Sequence, residues 1–191
     1  MTGARITIAI DDGGLAALFR RLRVAGADLG MAMEDIAGDL EETARRRFET
    51  GTGPGGVAWA PSARARKEGG KTLIDSGQLL ASIVSRSSAT EAEAGTNKEY
   101  AALHQFGGTV DRPARTVTVY RRVKGRMDRF ADWRFVKKGK ANYAEDHAVA
   151  GHKAVYPARP FLGVDNPGER RIVGIIERHL ARAIGAAGGG A

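Results

Sequence analysis

Apolar residues recur every three or four positions along one stretch in the first quarter of the chain. They are Leu29, Met33, Ile36, Leu40, Ala44 and Phe48. Charged residues occupy most of the opposite face, so the pattern predicts an amphipathic helix of about five turns. A shorter pattern of the same kind covers residues 15–22, and a change of phase at Gly26 separates the two.

A second long helix is expected near the end of the chain. Asn166 is a favourable cap, Pro167 suits the first helical position, and Glu169 completes the start signal. The apolar face predicted for this helix consists of Ile172, Val173, Ile176, Leu180 and Ile184. From Gly185 onward only Gly and Ala remain, and we expect residues 185–191 to form a disordered tail.

Alternation of apolar and polar residues predicts strands in shorter stretches. Residues 5–10 read as a half-buried strand, and residues 84–95 as a weak strand pair. Residues 116–120 and 133–136 together predict a two-stranded arm. Residues 51–56 consist of glycines, a proline and a threonine, a composition typical of a flexible loop.

Two short helices are expected between these stretches. Asp75 followed by Gln78 forms a capping-box pattern, and Gly77 permits a tight start. Residues 99–106 form the second helix, which Gly107 ends. The apolar face predicted for it consists of Tyr100, Leu103 and Phe106.

This order of elements favours an α+β fold. We expect the long N-terminal helix and the C-terminal helix to pack on a small, mainly antiparallel sheet, from which a β-hairpin arm extends. Residues 1–184 are expected to form a single domain, with the arm inserted at about residues 108–154.

The composition excludes several classes of protein. The chain of 191 residues has no cysteine, which rules out disulfides, cysteine-ligated metals and thiol catalysis. It shows no signal peptide, and no apolar run approaches the roughly 18 residues that cross a bilayer. We therefore expect a soluble protein of a reducing cytoplasm.

The net charge of +8 is concentrated in one stretch. Residues 112–140 hold 11 Lys and Arg against two acids, a local charge of +9, so the rest of the chain sums to −1. Such a block favours an anionic partner, although charges on a solvated hairpin also keep its edges from associating. The candidate charge donors are Arg121, Arg122, Lys124, Arg126, Lys137 and Lys138.

No motif for catalysis or cofactor binding meets its own requirements. Residues 69–72 resemble the end of a P-loop, but Ala65 stands where that motif needs glycine. Ser76 lacks the glycine-flanked elbow of a hydrolase nucleophile. The histidines lack the spacing of a zinc hydrolase, and His147 with His152 offers only a weak zinc or manganese site. We therefore expect no enzyme, no cofactor and no metal, and a binding or structural role.

Four segments carry a recognisable combination of motifs: residues 48–61, 73–83, 95–108 and 157–163. Their order and spacing resemble the Mu-like phage virion-morphogenesis family, also called tail-completion proteins (Mu protein G and its relatives). Fold maintenance is the role we favour for the motif residues. These are Trp59, Asp75, Gly77, Tyr100, His104, Phe106, Gly107, Pro160 and Phe161.

The resemblance implies a structural protein of a tailed phage that acts late in assembly, without catalysis. It implies a homo-oligomeric ring, hexameric by analogy, at the head–tail junction between the head connector and the tail terminator or tube proteins. The expected location is the virion, and the host cytoplasm during assembly. The basic arm is then expected to contact a neighbouring subunit, the connector or the channel DNA.

Two alternatives stay open from the sequence. A free nucleic-acid-binding protein acting in phage assembly would use the same basic block, with Tyr120, Phe130, Trp133 and Phe135 stacking on bases. Against it, no recognisable DNA-binding module is present. The other alternative is a His-ligated metal hydrolase, for which stoichiometric metal would be the signature.

Overall fold

The computed structural model describes residues 13–24, 29–124 and 133–188. Within them the chain has an α+β fold, which confirms the class predicted from the order of elements. The strand predicted at residues 5–10 and the phase change at Gly26 lie outside the described residues.

The described helices and strands follow one another in a mixed order. The helices are α1 (Gly13–Val24), α2 (Leu29–Thr50), α3 (Ala63–Glu68), α4 (Gln78–Ala81), α5 (Ala101–Phe106) and α6 (Asn166–Gly188). The strands are β1 (Ile83–Ser87), β2 (Ala92–Thr96), β3 (Gly108–Arg112), β4 (Arg115–Val123), β5 (Trp133–Phe135), β6 (Tyr143–Val149) and β7 (His152–Tyr156). None of the described helices is both long enough and apolar enough to span a membrane.

The chain divides into two compact units. The first, here called the core unit, comprises Met1–Gly108 and Pro157–Ala191, and the second, the arm unit, comprises Thr109–Tyr156. The arm unit carries 12 Lys and Arg against five acids, whereas the core unit carries 18 against 17. The excess positive charge therefore belongs to the arm unit.

One hydrophobic cluster of the core unit joins the two long helices. Its buried members are Met33, Ile36, Ile172, Ile175, Ile176 and Leu180, and side chains of α1 pack against them. The apolar face predicted for α2 is confirmed, since its members are buried or pack against a buried cluster. For α6 the prediction is partly wrong, because Ile184 is exposed and Ile175 is buried.

A second cluster surrounds the end of α2. Phe48 and Phe161 are fully buried with ring centroids 5.1 Å apart, and Trp59 meets Phe48 edge-on at 5.8 Å. The remaining buried members are Ala44, Leu79, Ile83, Ala101 and Leu162. Three of the four motif segments, residues 48–61, 73–83 and 157–163, thus bury large apolar side chains in one core.

The predicted strand pair at residues 84–95 is confirmed as β1 and β2, which pair antiparallel from Ile83 and Thr96 to Ser87 and Ala92. Side chains of α2 tie the helix to this pair. The carboxylate of Glu41 accepts hydrogen bonds from the backbone and hydroxyl of Ser85 at 2.8 and 2.7 Å. The bond from the Ser85 hydroxyl is the largest cause lowering the pKa of Glu41.

The start of α4 differs from the expectation. The helix begins at Gln78, and Gly77 is its N-cap with φ of 76°, a left-handed conformation that glycine adopts without strain. Asp75 stands two residues too early to cap it. The carboxylate of Asp75 is 83% exposed and lies 3.5 Å from Nε of Arg64 instead.

The start of α6 also differs by one residue. Asp165, not Asn166, fills the capping position, because its Oδ1 accepts a hydrogen bond from Gly168 N at 2.9 Å. Its backbone carbonyl accepts from Glu169 N at 2.8 Å. At the other end, residues 185–188 are helical where a disordered tail was expected, because two alanines there favour the helix. Residues 189–191 lie outside the described part.

The face predicted for α5 is wrong. Phe106 is 66% exposed and Tyr100 is also exposed, whereas Ala101 and Gln105 are buried. The periodicity of apolar residues fails here because the helix has fewer than two turns and its buried side meets a polar backbone segment, as described below. Gly107 ends the helix with φ of 72°, as predicted.

The loop at residues 51–56 is anchored rather than flexible. It contains a 3-10 turn at Pro54–Gly56, and Gly55 N donates to the carboxylate of Asp165 at 2.9 Å. The loop packs against Gly163, where an added Cβ would lie 2.9 Å from Cγ of Pro54. The φ of Gly163 is 143°, so this position needs glycine on two counts.

The arm unit contains more strands than the predicted hairpin. Its three-stranded sheet has the order β5-β4-β6, with β4 antiparallel to both neighbours, and β3 pairs with β7 in a second sheet. Both predicted stretches form strands that pair antiparallel, but β5 pairs with residues 121–123 of β4, whereas residues 116–120 pair with β6. The additional strands are β3, β6 and β7; β6 holds His147, and β7 begins at His152.

We expect Gly163→Ala to destabilise the protein by about 2–4 kcal/mol, because it combines backbone strain with a close contact on Pro54. Gly38→Ala is the matched control. No atom lies within 4 Å of a Cβ added at Gly38 in α2, so this change should stabilise the protein by about 0.5–1 kcal/mol. Urea unfolding of both variants measures the difference, and equal free energies of unfolding would contradict the packing described here.

Candidate functional site

The family-motif residues of the core unit surround a buried segment without regular structure. Residues 159–165 run between the last strand of the arm unit and α6, and Arg159, Phe161 and Leu162 are buried. Backbone groups that leave water without a partner cost free energy comparable to a lost hydrogen bond. The segment therefore depends on side chains from other elements to satisfy its backbone.

Gln105 of α5 supplies three of these hydrogen bonds. Its Oε1 accepts from the backbone nitrogens of Phe161 and Leu162, both at 3.0 Å. Its Nε2 donates to Leu162 O at 2.9 Å. One amide side chain thus pairs with the backbone of two consecutive residues as a neighbouring strand would.

Arg47, on the last turns of α2, satisfies the next part of the segment. Its Nη1 donates to Gly163 O at 2.7 Å and to Phe161 O at 3.3 Å, and its Nη2 lies 3.3 Å from Oδ2 of Asp165. Burial lowers the pKa of Arg47, and the charge of Asp165 opposes that shift. The ion pair therefore keeps a buried guanidinium charged and joins α2 to the start of α6.

The beginning of the segment is held by three further hydrogen bonds. Trp59 Nε1 donates to Pro160 O at 3.1 Å, and Arg159 Nε donates to Ala60 O at 2.8 Å. Arg159 N donates to His104 O at 2.7 Å. Burial and the nearby charge of Arg159 lower the pKa of His104, which favours its neutral form.

These contacts place the predicted motif residues in different roles. Trp59, Pro160, Phe161 and the backbone of His104 belong to the network, and Gly77 and Gly107 begin and end short helices. The remaining three, Asp75, Tyr100 and Phe106, are exposed. Gln105, Arg47 and Arg159 were missed. Their only signal in the sequence is a long polar side chain beside positions that bury apolar ones.

The polar side chains of the described network are engaged with the backbone of the core unit. Each motif side chain with a polar group in the network is used to hold the backbone. Among residues 13–24, 29–124 and 133–188, no group of three His, Cys, Asp or Glu could hold a metal ion. The arm unit is therefore the better candidate for a functional surface.

The sheet of the arm unit has two chemically different faces. Side chains alternate along a strand, and residues directly opposite each other on paired strands share a face. Arg121 lies opposite Phe135 and Tyr143, whereas Arg122 lies opposite Arg134. Neighbouring arginines of β4 therefore point to opposite sides.

The first face, here called the aromatic face, holds Arg121 between rings. Its guanidinium carbon lies 5.2 Å from the centroid of Trp133 and 5.0 Å from that of Phe135. Trp133 in turn packs on Tyr143 with centroids 4.9 Å apart. Cation–π contacts of this kind contribute about 0.5–2 kcal/mol, so Arg121 helps to hold the sheet together. Phe135 is 77% exposed on its other side.

The second face, here called the basic face, carries Arg122 and Arg134. Both are exposed, and neither has an ion-pair partner among the described residues. Further along the same face, Thr118 donates a hydrogen bond to Asp146 at 2.6 Å. Asp146, the acid that the structure describes on this face, is therefore bound to Thr118 and not to either arginine. Beside β6 the face continues with Ala144, opposite the half-buried Tyr120, and Ala148, opposite Thr116.

The other predicted charge donors lie near the ends of these strands. Lys124 directly follows β4, and Lys137 and Lys138 follow β5; all three are exposed. Arg126 lies outside the described residues. Asn142 supports this end of the sheet, since its side chain both donates to and accepts from the backbone of Val123, at 2.9 and 2.8 Å.

Comparison with known proteins relates the chain to phage assembly. A model of the phage virion morphogenesis family matches residues 10–181. The Mu-like prophage FluMu G protein 2 of Haemophilus influenzae is 38% identical over 98 residues, 51% of this chain and 67% of that protein. The "Putative capsid assembly protein G" of Escherichia phage Mu is 26% identical over 188 residues, 91% of this chain and 97% of that protein. No solved structure matches the chain.

We expect Gln105→Ala to destabilise the protein by about 2–5 kcal/mol, because it leaves buried backbone groups of Phe161 and Leu162 without partners. Phe106→Ala, at the neighbouring exposed position, should change stability by less than about 0.5 kcal/mol. Thermal unfolding followed by circular dichroism measures both variants. If Phe106→Ala destabilised the protein more than Gln105→Ala, the apolar face predicted from sequence would be the buried one.

Asp165 should make the core unit sensitive to acid. Hydrogen bonds from Gly55 N and Gly168 N, together with Arg47, lower the pKa of its carboxyl below the usual value of 3.8. Because the folded pKa is the lower one, this stabilisation is complete above about pH 5 and is lost as the pH falls through the folded pKa. Asp165→Asn should therefore lower stability at neutral pH and flatten its dependence on pH below about 5.

Urea unfolding at a series of pH values tests this expectation. Asp75→Asn is the control, because that carboxylate is exposed and the change removes only its contact with Arg64, 3.5 Å away. If Asp165→Asn retains the full dependence on pH of the natural protein, the acid sensitivity resides in another group, of which Glu41 is the first to examine.

Proposed function

The chain belongs to the phage virion morphogenesis family, and we propose that it is a structural subunit of the head–tail junction that is needed to join or complete the tail. Membership in the family confirms the resemblance drawn from the four motif segments. It also assigns the protein a role in making the phage particle. The location at the junction, the ring of copies and the absence of catalysis are parts of the proposal.

The hydrogen-bond network of the core unit supports a structural role. Its buried polar side chains bind the backbone of residues 159–165, and none of the network residues described above is left to bind a substrate. A subunit that must keep its shape between a head and a tail needs such a fixed interior. The core unit serves as the fixed body of the subunit.

The observation that carries the proposal is the chemistry of the arm unit. Its aromatic face exposes Phe135, and Val149 is exposed on the same side of the sheet, since it pairs with Arg115. Both sides of β3 are exposed along its whole length, and a sheet of two strands is only marginally stable by itself. Such a unit suits contact with a neighbouring protein, which we place at the head–tail junction.

The neighbours we propose are further copies of this chain in a ring and the connector or tail proteins on either side. Closed rings are a common outcome when one patch of a subunit binds a different patch of the next. Exposed apolar and aromatic side chains, such as those of the aromatic face, are typical of the centre of a protein interface. The aromatic face is therefore assigned to a protein neighbour.

A phage that lacks this gene should accumulate heads and tails that are not joined. Supplying the natural chain in trans should restore infectious particles, and quantitative mass spectrometry of these particles should find about six or twelve copies of the chain, as expected for closed rings. Normal particles in the absence of the gene, or restored particles free of the chain, would overturn the proposed place at the junction.

The aromatic face can be tested in the same assay. Phe135→Ser with Val149→Ser should fail to restore joining, because it removes the exposed apolar groups of that face. Val24→Ser with Val57→Ser removes two exposed apolar side chains from the core unit and should restore joining normally. Because Phe135 also contacts Arg121, the purified variant should melt somewhat lower than the control. Melting temperatures of both variants well above the assay temperature would show that the difference arises from contact and not from folding.

A further inference from the structure

We propose that the basic face of the arm unit binds the phosphate backbone of duplex DNA, with Arg122 and Arg134 as its central pair. This inference deepens the function proposed above and rests on it for its place in the particle. Three observations carry it: the register of the sheet, the absence of an acid beside Arg122 and Arg134 within the described part of the chain, and the contrast between the two faces.

Arg122 and Arg134 occupy directly opposed positions on β4 and β5. Side chains at such positions have Cβ atoms about 4.5–5.5 Å apart, and like charges there destabilise the pair of strands. Neither guanidinium meets an acid among the described residues. Two phosphates of the duplex, one bound by each arginine, would offset the repulsion and accept hydrogen bonds from the guanidinium groups.

The neighbouring Arg121 does not share this role. It lies on the aromatic face, where Trp133 and Phe135 enclose its guanidinium and its Nε is buried. Although Arg121 and Arg122 are equivalent in the basic block of the sequence, only Arg122 is exposed. The pleat of β4 therefore separates a positive charge that stabilises the sheet from one that is available to a partner.

The chemistry of the basic face favours DNA over an acidic protein. Interfaces with proteins contain an apolar, often aromatic centre. The exposed large apolar side chains that the structure describes on this sheet, Phe135 and Val149, both lie on the other face. Contacts with DNA are more polar and strongly positive, and a β-ribbon fits the major groove.

The contact should be independent of base sequence. Asn and Gln, which pair with adenine edges, are absent from the described basic face, and the nearby Asn142 is bound to the backbone of Val123. We assign Arg122 and Arg134 to phosphates and not to guanine edges. Lys124, Lys137 and Lys138, exposed near the ends of the strands, add charge for further phosphates. Phosphate contacts position a protein on the duplex without selecting a sequence.

Fluorescence anisotropy with the purified full chain and a labelled duplex of arbitrary sequence tests the inference. The natural chain should bind in low salt, with affinity that falls steeply between 50 and 200 mM salt. Arg122→Ala with Arg134→Ala should reduce the slope of log K against log salt by about 1.8, the value for two phosphate contacts. Over this range the natural chain then loses roughly tenfold more affinity than the variant.

Two control variants make the result specific. Arg170→Ala with Arg178→Ala removes the same charge from exposed positions of α6 in the core unit and should leave the slope unchanged. Arg122→Lys with Arg134→Lys keeps the charge and should keep most of the slope. The double alanine variant should melt no lower than the natural chain, because it removes a repulsion from the sheet.

Three outcomes would overturn the inference. The natural chain could fail to bind DNA at low salt, or the α6 variant could lose as much slope as the arm variant, which would assign binding to net charge alone. Alternatively, poly-glutamate could compete as well as unlabelled duplex at equal charge, which would indicate an acidic protein partner. Each outcome is independent of the head–tail assay, so failure of one proposal can be told from failure of the other.

Discussion

A buried stretch of irregular backbone sets the central requirement of the core unit. Residues 159–165 carry Phe161 and Leu162 into the interior, and burying them removes their peptide groups from water as well. No strand of the described residues pairs with this stretch, so side chains replace the missing ladder. Gln105 and Arg47 do so from two different helices, and α2, α5 and α6 are thereby held in a single arrangement.

This requirement explains which features the sequence could predict. The helices α2 and α6 are long, and each buries a continuous apolar stripe, so their spacing of hydrophobic residues identifies them. Helix α5 is short, and its buried side consists of Ala101 and the amide of Gln105, which a search for apolar periodicity assigns to solvent. The cap of α6 was missed by one residue, because the role of Asp165 depends on Arg47 and Gly55, more than 100 residues away in sequence.

The arm unit shows a related limit for strands. Alternation identified the stretches that became β4 and β5, since that signal is local. It could not identify β6, whose polar sequence forms a strand because β4 offers it a free edge. The charge block was evident from composition, yet the division of Arg121 from Arg122 needed the register, because a shift of one residue exchanges the two faces.

The hydrogen bond from Arg159 N to His104 O links the two parts of the core unit between which the arm unit is inserted in the sequence. It joins the residues just before the chain leaves the core unit to those just after it returns, so the body is closed independently of what lies between them. Lengthening a loop whose ends are already fixed adds little entropic cost. The intervening segment can therefore be lengthened, shortened or exchanged while the core unit keeps its own fold.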